Sequence, residues 1–434
     1  MKRSGATIFL VGAIVVLAVG LIGVLLYLKN QPAPTRGVQP LIEIAAMEPD
    51  SSKWGLNFPN QYSTLEKTKT NNTRTTYGGS QPASKLEEDP RLVTLFNGYP
   101  FSKDYNEERG HLNTLTDVRA TKRVNEKTAG TCYSCKSSNN PGLWAEMGMA
   151  EYDHMLFKDL GSKIEQPIGC ANCHEANTMK LIVTNPALDE ALKAQGLDWH
   201  TFTRQEMRTV VCANCHVEYY FKGDGKYLTF PWANGRRIED ISKFYADIQF
   251  KDWEHPQSKA PMIKMQHPEF EVFTADSTHY KAGVACADCH MPYTRDGAAK
   301  FSTHDVKSPL LNAEAACGQC HTDVNYVTAR VADIQKQVRQ TMDATEDALV
   351  AAINAIEAAT KTANVDPTLL AEAQNLHREA QLRWDFIAAE NSMGFHNPEE
   401  VLRILASATD IARQAQLKAV QAAGTPAILQ SSSQ

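Results

Sequence analysis

Two hydrophobic patterns stand at opposite ends of the chain. Thr7 to Leu28 is an unbroken low-polarity run of 22 residues, TIFLVGAIVVLAVGLIGVLLYL, preceded by Lys2 and Arg3. That length suffices to cross a hydrocarbon core of ~30 Å, and the basic pair predicts that the rest of the chain lies outside the cytoplasm. A cleaved signal peptide usually has a shorter apolar stretch and a small-residue cleavage site. No clean A-x-A follows this run, which favours an uncleaved membrane anchor over the alternative of a cleaved signal. At the other end, Val327, Val331, Ile334, Val338, Met342, Leu349, Ile353 and Ile356 recur at steps of three, four or seven. That spacing predicts an amphipathic helix of roughly ten turns. Asp366-Pro367 and Asn397-Pro398 each read as an N-cap followed by a first-turn proline. They predict a second helix to about Glu390, with Gly394 just beyond it, and a third that ends before Gly424.

Between these ends the pattern is weaker. Residues 31–90 contain QPAPTRG and TKTNNTRTTYGGSQPAS and read as a linker followed by an irregular segment. No strand-rich region stands out, so the fold class is mainly α. The expected organisation is an anchor or signal at 1–30, the linker and irregular segment at 31–90, and a cysteine-bearing region at 91–322. Long helices follow at 323–424, with a tail at 425–434. The apolar stripes of the long helices predict helix packing or a subunit interface.

Charge adds little. With 44 Lys and Arg against 50 Asp and Glu, the net charge of -6 gives no reason to expect nucleic acid as a partner. Cysteine changes the picture. All ten cysteines lie in Cys-x-x-Cys pairs, so none is left for a disulfide between distant loops. Outside the cytoplasm free thiols oxidise, and these ten need another fate.

Four pairs are followed by histidine: CANCH (Cys170, Cys173, His174), CANCH (Cys212, Cys215, His216), CADCH (Cys286, Cys289, His290) and CGQCH (Cys317, Cys320, His321). Cys-x-x-Cys-His is the attachment signature of c-type haem. Two thiols three positions apart reach the two vinyl groups on one porphyrin edge, and the next side chain supplies the ligand under the iron. A structural zinc site takes four ligands, usually two such pairs, and five pairs cannot be matched two by two. A redox dithiol needs only one pair. The expectation is five covalent c-type haems, which would form much of a core that the aliphatic residues do not fill. Of 13 histidines, four follow Cys pairs, and the remaining nine exceed the four distal positions. Spacing alone does not assign them.

The first pair differs. In TCYSCK, Cys132 and Cys135 are followed by Lys136. A lysine binds iron only as the neutral amine, and neutralising an ordinary lysine at pH 7 costs roughly 4–5 kcal/mol. Burial and the bond to iron must offset that. The alternative is a surface lysine whose haem is ligated from elsewhere. Changing an axial ligand is a main lever on haem behaviour, so this haem is the one expected to bind a substrate on its open side.

On these residues the chain resembles the ammonia-forming cytochrome c nitrite reductases, which are pentahaem enzymes. The resemblance runs roughly from Tyr99 to His396 and rests on TCYSCK, the four Cys-x-x-Cys-His motifs in order, CHVEYYF at 215–221 and KMQHPEFE at 264–271. It implies a six-electron reduction of nitrite to ammonium at the lysine-ligated haem, fed by four bis-histidine haems. It places Arg123, Tyr219 and His267 around the substrate, with Arg119 as the competing arginine. It implies one calcium ion held by the Glu218 carboxylate, the Tyr219 and Lys264 carbonyls and the Gln266 side chain. Distal ligands carry over as His111 for the haem at Cys212 and Cys215, and His304 for that at Cys170 and Cys173. His396 carries over for Cys286 and Cys289, and His279 for Cys317 and Cys320. His154, His200, His255 and His377 receive no role. The resemblance further implies a homodimer packed through the C-terminal helices and a periplasmic, membrane-associated site of action. The electron donor would be a quinol-oxidising multihaem cytochrome. A purely electron-carrying cytochrome, and an enzyme acting mainly on hydroxylamine or a sulfur oxyanion, are the rival readings.

Overall fold

A computed structural model describes residues 40–107 and 109–424, together with positions 17, 20, 21 and 23. The rest of the apolar run expected at 7–28, and the tail at 425–434, lie outside the described residues. Among the described residues no helix is long and apolar enough to cross a membrane.

Part of the stretch expected to be irregular is helical. α1 (Ser51–Asn57) starts where the Asp50 side chain accepts the Ser52 amide, and it buries Trp54. α2 (Pro59–Thr70) follows directly, with proline in its first turn. Its sequence is polar, and tertiary hydrogen bonds hold it instead of an apolar stripe. Thr64 Oγ1 accepts the His304 amide at 2.9 Å. The Thr68 carbonyl, one of the helix's terminal acceptors, takes the Asn113 side-chain amide at 3.2 Å. Such partners lie far away in sequence, so periodicity could not announce this helix.

Among the described residues, sheet is confined to four antiparallel two-stranded hairpins: β1 (Arg74–Thr75) with β2 (Gly78–Gly79), β3 (Tyr220–Lys222) with β4 (Tyr227–Thr229), β5 (Trp253–Glu254) with β6 (Pro261–Met262), and β7 (Tyr293–Asp296) with β8 (Ala299–Ser302). The rest is mainly helical. A short helix, α3 (Glu269–Thr274), buries Glu269, Phe270, Glu271, Val272 and Phe273.

Three long helices close the chain: α4 (Val324–Thr360), α5 (Pro367–Ala388) and α6 (Pro398–Ala422). Asp323, Asp366 and Asn397 cap their first turns through side-chain oxygens. The stripe of α4 is buried at Val331, Ile334, Val338, Met342, Leu349, Ile353 and Ile356. It meets Val401, Ile404 and Leu405 of α6, and then Ala408, Ala412, Ala415 and Ala419, small residues that let the helices approach closely. The turn between α5 and α6 needs Gly394, whose φ is +80° and whose missing Cβ would lie 2.7 Å from Val338.

Two buried histidines join three elements. His377 on α5 lies 3.0 Å from Ser258 Oγ in the β5–β6 hairpin and 3.0 Å from Gln381 Oε1. His255 lies 2.9 Å from the Thr94 carbonyl, and the two rings are 5.5 Å apart. Burial pulls His377 down to about 3. The folded form therefore keeps this ring neutral while the unfolded chain, titrating near 6.5, takes a proton. The stability is fully present above pH 6.5 and is lost as pH falls toward 3. Comparing denaturant unfolding at pH 7 and pH 5, His377→Gln should remove about 2 kcal/mol of the acid-induced loss.

Candidate haem-binding and catalytic site

Each Cys-x-x-Cys pair sits on a single helical turn. In 170–174 the Cys173 and His174 amides donate to the Cys170 carbonyl at 3.1 and 3.0 Å. In both 212–216 and 317–321 the same two bonds measure 3.1 and 2.9 Å. Residues three apart on such a turn share a face, so both thiols point the same way. At TCYSCK the backbone differs. The Lys136 amide donates to Tyr133, three residues back, at 2.9 Å. The lysine thus leaves a tighter turn than the histidines do. All ten thiols are unpaired; nine are half-buried and Cys320 is exposed.

The turns are neighbours in an order that differs from the sequence. Cys135 adjoins Cys215, and its sulfur lies 3.9 Å from the Asn214 carbonyl. Cys212 adjoins Cys286, while Cys289 faces Cys317 and Cys320. Cys173 also faces Cys215. The attachment points therefore run from 132/135 through 212/215 and 286/289 to 317/320, and 170/173 branches from the second.

Histidines from distant segments meet in pairs. Ring centroids lie 6.2 Å apart for His174 and His304, 6.2 Å for His290 and His396, and 6.4 Å for His279 and His321. That separation is what two imidazoles need when one metal ion lies between them with bonds of about 2 Å. His111 has His216 and Lys136 as its leading charged neighbours. Burial pulls His111, His290 and His304 each down to about 4. Neutral rings are the form that binds a metal. His396 is the exception: burial lowers it, but Glu390, 2.5 Å away, more than offsets this. Facing imidazoles beside paired thiols fit c-type haem. His154 and His200 are exposed.

Around Cys132 and Cys135 the structure gathers three further side chains. Tyr219 is half-buried with Cys135, Cys132 and Arg123 as its neighbours, and desolvation drives its phenol well above the ordinary range. His267 faces Cys135. Arg123 stacks over the Phe101 ring at 4.1 Å, and its Nε donates to the Thr121 hydroxyl at 3.1 Å. Arg119 turns away and donates to the Gly161 and Ile164 carbonyls at 3.2 and 2.5 Å. Of the two arginines, Arg123 is the one that faces the thiols.

Glu218, Lys264 and Gln266 also converge. Glu218 is buried, with Oε1 accepting the Tyr245 hydroxyl at 2.8 Å and Oε2 the Gln266 amide at 2.6 Å. The Gln266 side chain is 3.0 Å from the Lys264 carbonyl. Burial first, and Glu271 in addition, push the Glu218 carboxyl well above its ordinary range. A carboxylate so placed calls for a cation, and oxygen donors of this kind suit a hard one. A second acidic group, Asp89, Asp343 and Glu346, is already neutralised. Arg91 reaches Asp343 and Glu346 at 2.6 Å each, and Arg339 reaches them at 2.8 and 2.5 Å.

Three carboxylates with no sequence-level assignment hold this region. Asp385 of α5 accepts the Lys264 ammonium at 2.8 Å and the Met265 amide at 2.8 Å. The ammonium is boxed by Phe96, Phe101 and Tyr105 at 5.2, 5.0 and 5.4 Å. Glu271 accepts the Glu218 amide at 2.9 Å and Trp232 Nε1 at 2.8 Å. Glu269 lies between His216 and His267, with N–O separations of 3.7 and 3.8 Å, and accepts Asn391 at 2.6 Å. Burial alone would raise Glu269, but the two imidazoles hold it well below the usual range. Glu269 and Glu271 fall inside KMQHPEFE, a signal that could have drawn attention to them. Asp385 sits on a helix whose pattern reads only as packing.

The family model for cytochrome c552 matches residues 50–433. A cytochrome c-552 of Parabacteroides distasonis (strain ATCC 8503) is 40% identical over 384 residues, 86% of this chain and 77% of that protein. One of Porphyromonas gingivalis (strain ATCC BAA-308 / W83) is 35% identical over 424 residues, 96% of this chain and 85% of that protein. Among solved structures, the catalytic subunit of cytochrome c nitrite reductase from Desulfovibrio desulfuricans ATCC 27774, described with two calcium sites, matches with a TM-score of 0.84. It is 35% identical, and the match covers 89% of each chain.

Asp385→Asn should leave the Lys264 ammonium buried without its counter-charge, at a cost of about 3–5 kcal/mol. Denaturation midpoints of the holoprotein check this. Combining it with Lys264→Met should recover most of the loss.

Proposed function

The chain belongs to the cytochrome c552 family, and from that premise we propose that it is an oxidoreductase, a multihaem cytochrome c nitrite reductase. The reaction is the six-electron, eight-proton conversion of nitrite to ammonium and two waters. Cys132 and Cys135 would hold the haem that supplies electrons to nitrite, with Lys136 as the ligand candidate beside them. The other four thiol pairs, with the histidine pairs above and His111 with His216, would hold haems that supply electron relay.

One observation carries this reading: Arg123, Tyr219 and His267 face the thiols of the single motif that ends in lysine. Each suits one requirement of the reaction. Nitrite is an anion, and the Arg123 guanidinium attracts it and stabilises charge on its oxygens. The His267 imidazole passes protons as N–O bonds break. The half-buried Tyr219 phenol donates a hydrogen bond. The Glu218 carboxylate, the Tyr219 and Lys264 carbonyls and the Gln266 side chain would hold a calcium ion, which would neutralise Glu218 and brace both Tyr219 and His267. One such ion is assigned here; the related Desulfovibrio subunit is described with two.

The wider setting is proposed with it. The run at 7–28 anchors the enzyme, or directs its export, so that it works in the periplasm. The C-terminal helices pair two copies, and a quinol-oxidising multihaem cytochrome delivers electrons.

Purified holoprotein with a reduced dye should consume nitrite and form ammonium one for one. EPR should show one high-spin haem among five, and nitrite should change that signal. Five low-spin haems indifferent to nitrite would sink the assignment in favour of an electron carrier. Faster turnover of hydroxylamine or sulfite than of nitrite would move the substrate.

The two arginines should separate cleanly. Arg123→Leu should lower kcat/KM for nitrite by about 100-fold or more, the size of losing one charge-stabilising donor. Arg119→Leu should lower thermal stability and leave nitrite kinetics near those of the parent.

A further inference from the structure

Glu269 stands between two imidazoles to which the proposed function gives different tasks. His216 follows the Cys212 and Cys215 pair and belongs to a relaying haem. His267 faces the substrate. Their rings are 6.3 Å apart and nearly perpendicular, at 71°. Glu269 Oε2 lies 3.7 Å from His216 Nδ1, and Oε1 lies 3.8 Å from His267 Nδ1. These are ion-pair distances and not direct hydrogen bonds, close enough for one buried carboxylate to bias both rings. Asn391, just beyond α5, donates to Oε1, the oxygen nearer His267, at 2.6 Å and fixes the carboxylate.

The partner at Nδ1 decides the tautomer, the aim and the donor strength of an imidazole. At three other paired histidines that partner is a backbone carbonyl, while at His396 it is the Glu390 carboxylate. His174 lies 3.0 Å from Met179 O, His290 3.1 Å from Lys307 O, and His304 3.0 Å from Ser302 O. A carboxylate draws more strongly on the ring N–H and makes the opposite nitrogen a stronger donor. A stronger axial donor favours the oxidised haem. The location adds weight. The 212/215 attachment adjoins 132/135, 170/173 and 286/289, so a haem there would stand next to the one at the lysine motif.

We propose that Glu269 is a shared positioning carboxylate, which aims His267 at the substrate and at the same time sets the donor strength of His216 on the adjoining haem. One side chain thereby ties the group that handles protons to the centre that delivers electrons. The His267 half rests on the nitrite reductase reading; the His216 half does not depend on the substrate.

Glu269→Gln keeps the shape and removes the charge. In holoprotein with full haem content, a potentiometric titration followed by EPR should show one low-spin haem moving to higher potential, with the other low-spin haems unmoved. The kcat for nitrite should fall about tenfold or more, with KM within about twofold, as for other partners of ligating histidines. Glu269→Asp should restore part of both. Should Glu269→Gln fail to load haem, Asn391→Leu loosens the carboxylate and should move both readouts in the same direction, less far. Unmoved potentials in a loaded Glu269 variant overturn the His216 half, and an unchanged kcat overturns the His267 half. A parent protein that leaves nitrite intact while Glu269→Gln still shifts one haem sinks the nitrite reading and supports the His216 half. A parent that reduces nitrite with no such shift sinks the His216 half alone.

Discussion

Holding imidazole rings in facing pairs, one from a thiol-bearing turn and one from a distant segment, is the constraint on which the architecture depends. One ring of each pair comes with its thiols on a helical turn, which local backbone geometry can build. The other arrives from a distant segment and must be delivered to within a few tenths of an ångström. His304 is brought to His174 by the β7–β8 hairpin and by α2, whose Thr64 accepts the His304 amide. His396 is brought to His290 by the segment between α5 and α6, with Glu390 on its second nitrogen. These demands leave little room for extended sheet. The central region is accordingly a run of short helices and turns, and the long helices supply a framework that it lacks.

That framework also reaches into the proposed catalytic centre. Asp385 holds Lys264 and the Met265 amide, and Asn391 holds Glu269. A buried carboxylate is costly unless its partners are complete, so each of these contacts specifies one arrangement strongly. The segment 264–271 is thereby pinned from α5 at one end and from the turn after α5 at the other. Between those pins lie Gln266 and His267. Helices that read as simple packing elements thus set the position of side chains that belong to another part of the chain.

The lysine motif shows how a small local change has wide consequences. Its amide bonds three residues back where three histidine motifs bond four back. The side chain that follows the second thiol is therefore presented differently, before any question of its chemistry arises. Arg123, Tyr219 and His267 gather at this motif, which gives one attachment point of the set a distinct chemical environment.

Much was legible in the residues alone. The Cys-x-x-Cys spacing, the lysine in place of one histidine, and the three capped C-terminal helices are local patterns, and each is set by interactions within a few residues. Mainly helical architecture followed from them. What only the tertiary structure decided involves partners far apart in sequence. The order of the thiol pairs in space, the choice of Arg123 over Arg119 to face them, and the polar helix α2 belong here. So do the carboxylates Asp385, Glu269 and Glu390, which look like ordinary surface charges along a helix or loop. Periodicity records which face of an element is buried, but not what it is buried against. A buried charge is stable only beside its counterpart, and that counterpart appears only once the chain has folded.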